Sequence, residues 1–408
     1  MRSHGVVITG MGALTPLGSD VASLWEGALA GRSGVRRIDE FLGGHDELPV
    51  RIGAPMAADP ATFLERVQAR RMDRCTQAAL VAARQAWQDA GAPEVDRDRL
   101  AAVIGTGIGG ATTLLGQEHV LMDGGPRKVS PLSVPMLMPN AAAAQVSIEF
   151  GARAGSYTTA SACASGADAI AQAVRLIRLG EADIVIAGGA ETPILPMTIA
   201  GFSQARTLSK RNDEPERASR PFDAARDGFV LGEGAGALII ESEEHAAARG
   251  ARVLGRIAGI GVTADAYHIT GPDPTGNGQV RAIRRALDDA GLTPADVAHV
   301  NAHSTSTVVG DPGEATAIQQ ALGDHVVLTA PKSAIGHLVG AAGAVEGILT
   351  MLSLRDNVVP PTLNLENQDP DVKLDVVSGR PREITLHAAI SNSFGFGGQN
   401  VSILFTKV

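Results

Sequence analysis

Four side chains that could carry out acyl transfer stand where strands are predicted to end: Cys163, His303, Lys332 and His337. Residues 157–162 predict an inner strand and residues 164–179 a helix, so the Cys163 thiol lies at a helix N-terminus. The helix dipole favours the thiolate there. Groups at the carboxyl ends of strands in an open α/β sheet converge on one crevice. A nucleophilic thiol beside two imidazoles predicts acyl transfer through a thioester.

Each of these residues has a plainer interpretation when it is taken alone. Free cysteines are among the most buried residue types, so Cys163 could be purely structural. A single histidine among apolar neighbours is more often a satisfied core residue. All four side chains lie within two residues of a glycine or a hydroxyl residue, and a glycine-rich segment follows at 392–398. This combination favours the chemical interpretation.

The composition restricts the class of protein. The net charge of −9 argues against nucleic acid as the main partner. The two cysteines, Cys75 and Cys163, form neither a disulfide framework nor a zinc spacing, which suits a reducing compartment. Residues 1–10 lack a signal-peptide core, and the apolar stretch 338–354 contains Glu346 and is short for a membrane span. We therefore expect a compact cytoplasmic protein.

Strand and helix patterns alternate along the chain, which predicts an α/β fold with sheets covered on both faces. The pattern restarts near residue 253, so we expect two copies of one α/β unit, residues 1–252 and 253–408. The predicted strands are residues 6–9, 101–104, 182–190 and 237–241 in the first unit, and 254–262, 299–301, 326–330, 388–392 and 401–405 in the second. The predicted helices include residues 23–30, 75–90, 279–290 and a stretch from about 340.

Two further features have alternative interpretations. Gly105–Gly110 matches the dinucleotide pattern G-x-G-x-x-G, yet it does not follow the first strand and no acidic ribose partner comes about twenty residues later. Glycines that allow a close backbone approach explain it equally well. The basic group around Arg66, Arg70 and Arg71 is, by itself, a solvated helix face.

Four linked motifs resemble those of one enzyme family. They are Ser161–Gly166 around Cys163, Asn301–His303, Lys332–His337 and Asn392–Gly398. In type, order and spacing they are similar to the β-ketoacyl-[acyl-carrier-protein] synthases of the elongating type, synthase II. The resemblance implies a thiolase-like fold of two duplicated α/β halves in five layers, αβαβα, working as a homodimer.

The implied reaction is a decarboxylative condensation in fatty-acid elongation. An acyl group on Cys163 would join malonyl-[acyl-carrier-protein] to give 3-oxoacyl-[acyl-carrier-protein] and CO2. No metal, nicotinamide or flavin is implied, because the substrates are thioesters on the phosphopantetheine of acyl carrier protein. Two alternatives remain: a ketosynthase of a type II polyketide or polyene pathway, and a non-condensing partner subunit that binds the carrier protein. A thiolase would carry a second cysteine near the C-terminus, where this chain has residues 394–398.

The resemblance also implies roles for individual residues. His303 and His337 would stabilise the enolate through Nε N–H groups, Lys332 would supply positive potential, and Phe396 would give an oxyanion N–H and a gate. The backbone N–H of Cys163 would be the second oxyanion donor, and Asn301 and Glu346 would be structural. Substrate contacts are implied for Thr270, Thr305, Thr307, Ile108, Phe202 and Phe394, although Ile108 and Phe202 could equally be core. Because acyl carrier proteins are acidic, a basic docking patch is expected at Arg66, Arg70, Arg71, Arg127, Lys128 and Arg206.

Three positions depart from the family pattern. Ser304 stands where glycine is usual, and if that position needs positive φ the serine costs about 1 kcal/mol. Gln399 stands where threonine is common. Ser133 replaces an expected bulky residue at the dimer-side end of the pocket, which predicts a longer or wider acyl channel.

Overall fold

The computed structural model describes residues 5–408. Within that range the strands are β1 (Val6–Leu14), β2 (Arg36–Arg37), β3 (Ile52–Gly53), β4 (Leu100–Gly105), β5 (Gly155–Tyr157), β6 (Ile184–Glu191), β7 (Gly234–Ser242), β8 (Gly255–Ala264), β9 (Val297–Asn301), β10 (Val327–Thr329), β11 (Val358–Val359), β12 (Asp375–Val376), β13 (Arg382–Glu383), β14 (Ala388–Gly395) and β15 (Gln399–Thr406). The helices are α1 (Val21–Leu29), α2 (Arg66–Ala69), α3 (Arg74–Asp89), α4 (Ala111–Gly124), α5 (Ser133–Leu137), α6 (Ala141–Phe150), α7 (Ser165–Arg178), α8 (Pro196–Gln204), α9 (Glu243–Ala248), α10 (Asn277–Ala290), α11 (Gly310–Leu322), α12 (Lys332–Ile335) and α13 (Ala342–Asp356).

The main sheet consists of two sets of strands with the same pairing pattern. The first set has the order β1-β7-β6-β4-β5 and the second β8-β15-β14-β9-β10-β12. In each set the first two pairings are antiparallel and the following ones are parallel. The sets join where β1 pairs with β8 at Val7 and Ile8. This repetition agrees with the predicted duplication of an α/β unit, and the division after residue 252 stays a prediction.

Helices cover both faces of the two sets and produce five layers. α3 and α6 pack outside the first set, over a core that includes Leu80 and Ile104. α7 and α13 lie between the sets and contact each other. α10 and α11 pack outside the second set around Ile283 and Ile318. The predicted five-layer α/β architecture is therefore confirmed.

The outer helices approach their sheets through glycine. A Cβ atom placed on Gly12 of β1 would lie 2.1 Å from the carbonyl oxygen of Ala82 in α3. At Gly261 of β8 it would lie 1.8 Å from the carbonyl oxygen of Ala282 in α10. Both halves thus pack a helix directly against strand backbone, which explains the use of glycine and alanine in a chain with only 3% aromatic residues.

The predicted strands and helices of the core are present, with ends that differ by a few residues. The strand predicted over 157–162 is wrong, because β5 ends at Tyr157 and residues 162–164 form a 3-10 turn. Ala162 there has the left-handed φ of 51°. Beyond the strand, the N–H of Ser161 donates to Ser165 Oγ at 3.0 Å rather than to a neighbouring strand. Among residues 5–408, no helix combines the length and the apolar character needed to cross a membrane.

Candidate active site

Cys163 lies in the 3-10 turn Ala162–Ala164 that directly precedes α7. The left-handed backbone at Ala162 turns the chain sharply between β5 and this helix. Cys163 remains partly exposed at the wall of a cavity of about 470 Å³. The structure therefore presents the sulfur to a space large enough for a substrate.

Two histidines from the second half of the chain meet Cys163 at this cavity. His303 follows β9, and His337 follows the short helix α12. One ligating atom from each of Cys163, His303 and His337 lies within 4.8 Å of the others. The two imidazole rings are 5.4 Å apart between centroids and nearly perpendicular, at 85°. The structure therefore brings these residues together at one cavity, as predicted from their positions at strand ends.

The backbone fixes the tautomer of His337. The N–H of Val339 donates to His337 Nδ1 at 3.3 Å, so the proton of the neutral ring lies on Nε2. Val339 has φ of 48°, which is uncommon for a β-branched residue. Nδ1 of buried His303 has no hydrogen-bond partner among residues 5–408. His337 is therefore a defined N–H donor at Nε2.

A buried ion pair lies behind the histidines. Lys332 Nζ is 2.5 Å from Glu346 Oε1, and both side chains are almost completely buried. Burial holds the pKa of both His303 and His337 well below the usual value for histidine, and the positive charge of Lys332 lowers both further. Both rings are therefore neutral near pH 7.

The structure corrects the expectation of a thiolate at Cys163. Burial raises the pKa of this thiol to about 11, although the charge of Lys332 and the backbone N–H of Phe396 act to lower it. The resting sulfur is consequently a thiol at neutral pH. The backbone N–H groups of Phe396 and Cys163 itself both reach the sulfur. These are the two donors expected for an oxyanion hole.

The cavity brings together most of the predicted substrate residues. Thr305 Oγ1 and Thr307 Oγ1 lie 3.2 Å apart at its wall. Phe202 contacts Phe229 edge-to-face, and Phe229 contacts the ring of His337 in the same way. The predicted residues that line the cavity are Cys163, His303, His337, Phe396, Ile108, Phe202, Thr270, Thr305, Thr307, Phe394 and Arg206.

Other predicted residues lie outside the cavity wall. Lys332, Glu346 and Asn301 are buried behind it, and Asn301 Nδ2 donates to the carbonyl oxygen of Glu346 at 3.1 Å. The exposed basic residues Arg66, Arg70, Arg71, Arg127 and Lys128 do not line the cavity. Like Arg206, none of these forms an ion pair with another residue in 5–408. Of the six, the structure brings only Arg206 to the cavity.

Comparison with protein-family models identifies the chain. Residues 3–246 match the N-terminal domain of the beta-ketoacyl synthases, and residues 254–366 match the C-terminal domain of the same family. The chain belongs to the beta-ketoacyl synthase family. A 3-oxoacyl-[acyl-carrier-protein] synthase 2 of Mycobacterium tuberculosis is 51% identical over 404 residues, which cover 98% of this chain and 97% of the relative. A Staphylococcus aureus protein of the same name is 47% identical, covering 100% and 99%.

Solved structures of other beta-ketoacyl synthases have the same fold. A beta-ketoacyl synthase from Burkholderia phymatum has a TM-score of 0.92 at 38% identity, with 99% of this chain and 100% of that chain covered. A type II polyketide ketosynthase, bound to a hexaketide and in complex with its acyl-carrier protein, has a TM-score of 0.91 at 31% identity, with 99% of both chains covered. The thiolase-like ketosynthase fold is therefore established for this chain.

Ser304, one of the three departures from the family pattern, causes no backbone strain in this beta-ketoacyl synthase. Its φ is not positive, and the left-handed residue of this loop is Ser306, with φ of 70°. The Ser304 hydroxyl donates to Glu314 Oε2 at 2.8 Å, and its N–H donates to the same oxygen at 2.7 Å. The side chain thus adds a buried hydrogen bond next to His303.

Two buried acids of the site were not predicted from the sequence. Glu314 of α11 accepts the His303 N–H at 2.8 Å and holds the loop after β9. Glu191, the last residue of β6, accepts hydrogen bonds from the loop after β4. Burial raises the pKa of both carboxyls, and backbone donors oppose that rise. Their place in the chain, at a strand end or in the helix that follows His303, was the available signal.

A thiol and two imidazoles are also a donor set that zinc can bind. A histidine that ligates a metal donates its other ring N–H to an acceptor. In His337 the second nitrogen, Nδ1, instead accepts the N–H of Val339. This arrangement places the proton on Nε2, so the geometry favours a hydrogen-bond donor over a metal ligand.

Proposed function

We propose that the protein catalyses the decarboxylative Claisen condensation of an acyl group on Cys163 with malonyl-[acyl-carrier-protein]. The products are 3-oxoacyl-[acyl-carrier-protein] and CO2, in fatty-acid elongation. The observation that carries the proposal is the meeting of Cys163, His303 and His337 within 4.8 Å at one cavity. The identity of 47–51% to 3-oxoacyl-[acyl-carrier-protein] synthase 2 proteins supports the same reaction.

The first step loads the enzyme. The Cys163 sulfur attacks the acyl thioester, the bond to the pantetheine sulfur breaks, and the thiol proton leaves with the released carrier thiol. The N–H groups of Cys163 and Phe396 hold the oxyanion of the tetrahedral intermediate. One such donor contributes about 3 kcal/mol to the barrier reduction. A thiol with a raised pKa makes this step sensitive to pH.

The second step forms the carbon–carbon bond. The thioester carbonyl of malonyl-carrier protein accepts hydrogen bonds from the Nε2–H groups of His303 and His337, and loss of CO2 leaves an enolate. The enolate carbon attacks the acyl thioester on Cys163, and the sulfur leaves as thiolate and takes up a proton. Neutral imidazoles suit this role because they donate to the developing oxyanion. We assign Lys332 an electrostatic role, because it lies behind the cavity wall and its charge adds to the effect of burial in lowering the pKa of both rings.

The substrates bring their own carrier group, phosphopantetheine, and no step of this scheme requires a metal, nicotinamide or flavin. We propose acyl carrier protein as the partner, docking over Arg206 at the cavity and the exposed cations Arg66, Arg70, Arg71, Arg127 and Lys128. A net charge of −9 makes such a local basic patch necessary for an acidic partner. The related polyketide ketosynthase in complex with its acyl-carrier protein supports this choice. A cytoplasmic location stays part of the proposal.

We also propose a homodimer, supported by an exposed apolar surface on α4, α5 and α6. Its exposed side chains are Leu114, Leu121, Met122, Val134 and Ile148. β5, beside this surface, is an edge strand of the sheet. Light scattering should give twice the mass of one chain, and Ile148→Glu should shift the measured mass towards that of one chain.

Ser133 begins α5 and does not line the cavity. Its effect on the acyl channel therefore stays a prediction, which a profile of activity against acyl-chain length would test.

The decisive experiment is intact mass spectrometry after mixing the protein with acyl-carrier-protein thioesters of graded length. The wild type should gain one acyl mass, and Cys163→Ala should gain none. Addition of malonyl-carrier protein should then release 3-oxoacyl product. His337→Ala should still be acylated but should lose roughly 10²–10³-fold in condensation. A wild type that forms no adduct with any chain length would contradict the proposal and leave the carrier-binding subunit as the better account.

The same assay separates the fatty-acid pathway from a type II polyketide or polyene pathway. One condensation per loaded saturated acyl chain indicates fatty-acid elongation. Repeated malonyl additions, or activity only after a second ketosynthase-like subunit is added, indicate the polyketide alternative. That alternative has support from the structural likeness to a type II polyketide ketosynthase at 31% identity and to the ishigamide ketosynthase/chain length factor at 33% identity. Both identities are lower than the identity to the synthase 2 proteins.

A further inference from the structure

One buried carboxylate connects two loops of the cavity. Glu191 is the last residue of β6 and is 1% exposed. Its two oxygens accept hydrogen bonds from five donors: Thr106 Oγ1 at 2.8 Å and the backbone N–H groups of Gly107 at 2.5 Å, Ile108 at 3.1 Å, Gly109 at 3.4 Å and Gly340 at 3.0 Å. No other carboxylate in residues 5–408 holds both of these loops.

The first loop is the acyl-pocket loop, Thr106–Gly109, which carries Ile108 at the cavity wall. The amides of Gly107, Ile108 and Gly109 lie outside any helix or strand, so Glu191 accepts their hydrogen bonds in place of a sheet ladder. The N–H of Thr106 donates instead to the carbonyl oxygen of Thr159. A Cβ atom on Gly107 would lie 2.9 Å from Glu191 Oε2. The loop therefore approaches the carboxylate as closely as its backbone allows, and the position of Ile108 follows from that contact.

The second loop is the His337 turn, Val339–Gly340. The Val339 N–H fixes the tautomer of His337, and it does so from a left-handed conformation. Such a conformation persists only where the surroundings hold it in place. The next peptide N–H, that of Gly340, donates to Glu191 Oε2, and a Cβ atom on Gly340 would lie 2.6 Å from that oxygen.

We propose that Glu191 is a positioning residue that holds the acyl-pocket loop and the His337 turn in one arrangement. Acyl loading of Cys163 and the protonation pattern of the His337 ring then depend on the same carboxylate. The inference rests on the proposed condensation and adds a residue that sets its acyl-chain preference. Glutamine at this position offers one acceptor oxygen in place of two, and its amide NH2 group would face hydrogen-bond donors, so it cannot accept all five hydrogen bonds.

The test compares Glu191→Gln with a matched buried acid outside the cavity. Glu241 of β7 is 0% exposed, accepts from Arg249 Nε at 2.9 Å and does not line the cavity, so Glu241→Gln is the control. The readout is the ratio of Cys163 acylation rates for long and short acyl-carrier-protein thioesters. We expect this ratio to fall at least about tenfold in Glu191→Gln and to stay within about twofold of wild type in the control. A loss of folded protein lowers both rates equally and leaves the ratio unchanged.

A second readout addresses the ring of His337. In ¹⁵N-histidine-labelled protein, the wild type should give an unprotonated Nδ1 and a protonated Nε2, assigned by comparison with His337→Asn. Glu191→Gln should shift both signals towards a mixture of tautomers. Thr106→Val leaves the carboxylate and removes the hydroxyl that donates to Glu191 and accepts the N–H of Gly109. It should lower the acylation ratio in the same direction by a smaller factor. If Glu191→Gln does not fold, the Thr106→Val variant is used in its place.

A wild-type acylation ratio together with wild-type ring signals in the Glu191 variant would overturn the proposal and leave Glu191 a structural residue. If the wild-type protein itself accepts no acyl group, the proposed function fails instead. The ring signals then still decide whether Glu191 fixes His337, so the two failures are distinguishable.

Discussion

The two halves of this ketosynthase pack alike at their outer faces and differ at the ends of their strands. Gly12 meets the carbonyl of Ala82 in the first half as Gly261 meets that of Ala282 in the second. β4 and β9 hold equivalent places in the two sets of strands, each between two parallel neighbours. Yet β4 leads into the acyl-pocket loop, and β9 leads into His303. The close packing of helix on strand is therefore the same in both halves, whereas the residues that follow the strands differ in their chemistry.

The central helices repeat this relationship. α7 and α13 each follow a 3-10 turn whose first residue is left-handed, Ala162 with φ of 51° and Val339 with φ of 48°. In the first half the second residue of that turn is Cys163, the proposed nucleophile. In the second half it is Gly340, whose N–H donates to Glu191. The same backbone turn thus presents a sulfur in one half and fixes a histidine in the other.

The largest effect should come from Lys332, the buried charge that lies behind His303 and His337. Lys332→Met leaves buried Glu346 without its partner, so we expect the free energy of unfolding to fall by about 3–5 kcal/mol. Burial raises the pKa of Glu346 above its unfolded value, and without Lys332 nothing opposes that rise. The folded variant then binds more protons than the unfolded chain, so its stability falls as pH rises above the unfolded pKa.

Urea unfolding at pH 6 and pH 8 checks this prediction, and the loss should be greater at pH 8. Arg355→Met, which breaks the exposed pair with Asp356, is the control and should cost less than about 1 kcal/mol. If Lys332→Met and Arg355→Met lowered the free energy of unfolding equally, the buried charge of Lys332 would be no more important to stability than an exposed one.

The shared outer packing predicts equal costs in the two halves. Gly12→Ala and Gly261→Ala each place a methyl group inside a helix backbone, so each should lower the free energy of unfolding by about 1–3 kcal/mol. Denaturant unfolding measures both, with Gly201→Ala in α8 as the control, because nothing lies within 4 Å of a Cβ there. If only one of the two alanine substitutions lowered the free energy of unfolding, the two halves would not share the same outer packing.

The two cysteines should differ in reactivity, because Cys163 faces the cavity and Cys75 lies in the core. Iodoacetamide should modify Cys163, which faces the cavity, and leave Cys75, which is 2% exposed, unmodified in the folded protein. Because the pKa of Cys163 is about 11, its alkylation rate should rise about tenfold per pH unit between pH 7 and pH 9. Peptide mass spectrometry gives both rates. A plateau below pH 8 would mean that the helix terminus stabilises the thiolate after all.

The smallest effect concerns Ser304 beside His303. Since its φ is not positive and its hydroxyl bonds to Glu314, Ser304→Gly should lower the free energy of unfolding by about 1 kcal/mol. Denaturant unfolding decides the sign, with Ser304→Ala as a second variant that loses the same hydrogen bond. An increase in stability for the glycine variant would show that the position does need a left-handed backbone.

The sequence predicts the reacting groups because they are rare residue types at strand ends, where α/β folds collect their functional side chains. Cys163, His303 and His337 follow from that rule together with the family resemblance. The rule needs no knowledge of side-chain contacts. It therefore predicted the three residues that meet at the cavity and also Lys332. That Lys332 lies behind the cavity wall could be seen only in the structure.

Contacts between distant segments were not predictable in this way. Glu191 and the acyl-pocket loop lie more than eighty residues apart in the chain, and nothing local to either specifies their hydrogen bonds. The left-handed turn at Ala162 was missed because alanine gives no signal for positive φ. The thiolate expected at Cys163 was wrong because the helix terminus is local, whereas the burial that raises the pKa arises from the whole fold.

The glycine contacts between β1 and α3 and between β8 and α10 also limit how this enzyme can change over evolutionary time. A backbone-to-backbone contact has no side chain that substitution can trim or reshape, so the spacing of the layers cannot drift by small steps. Variation is then channelled into the loops that follow the strands, where Ile108 and Thr305 lie. Under the proposed function, new acyl-chain preferences would arise there while the distance between Cys163 and the two histidines stays the same.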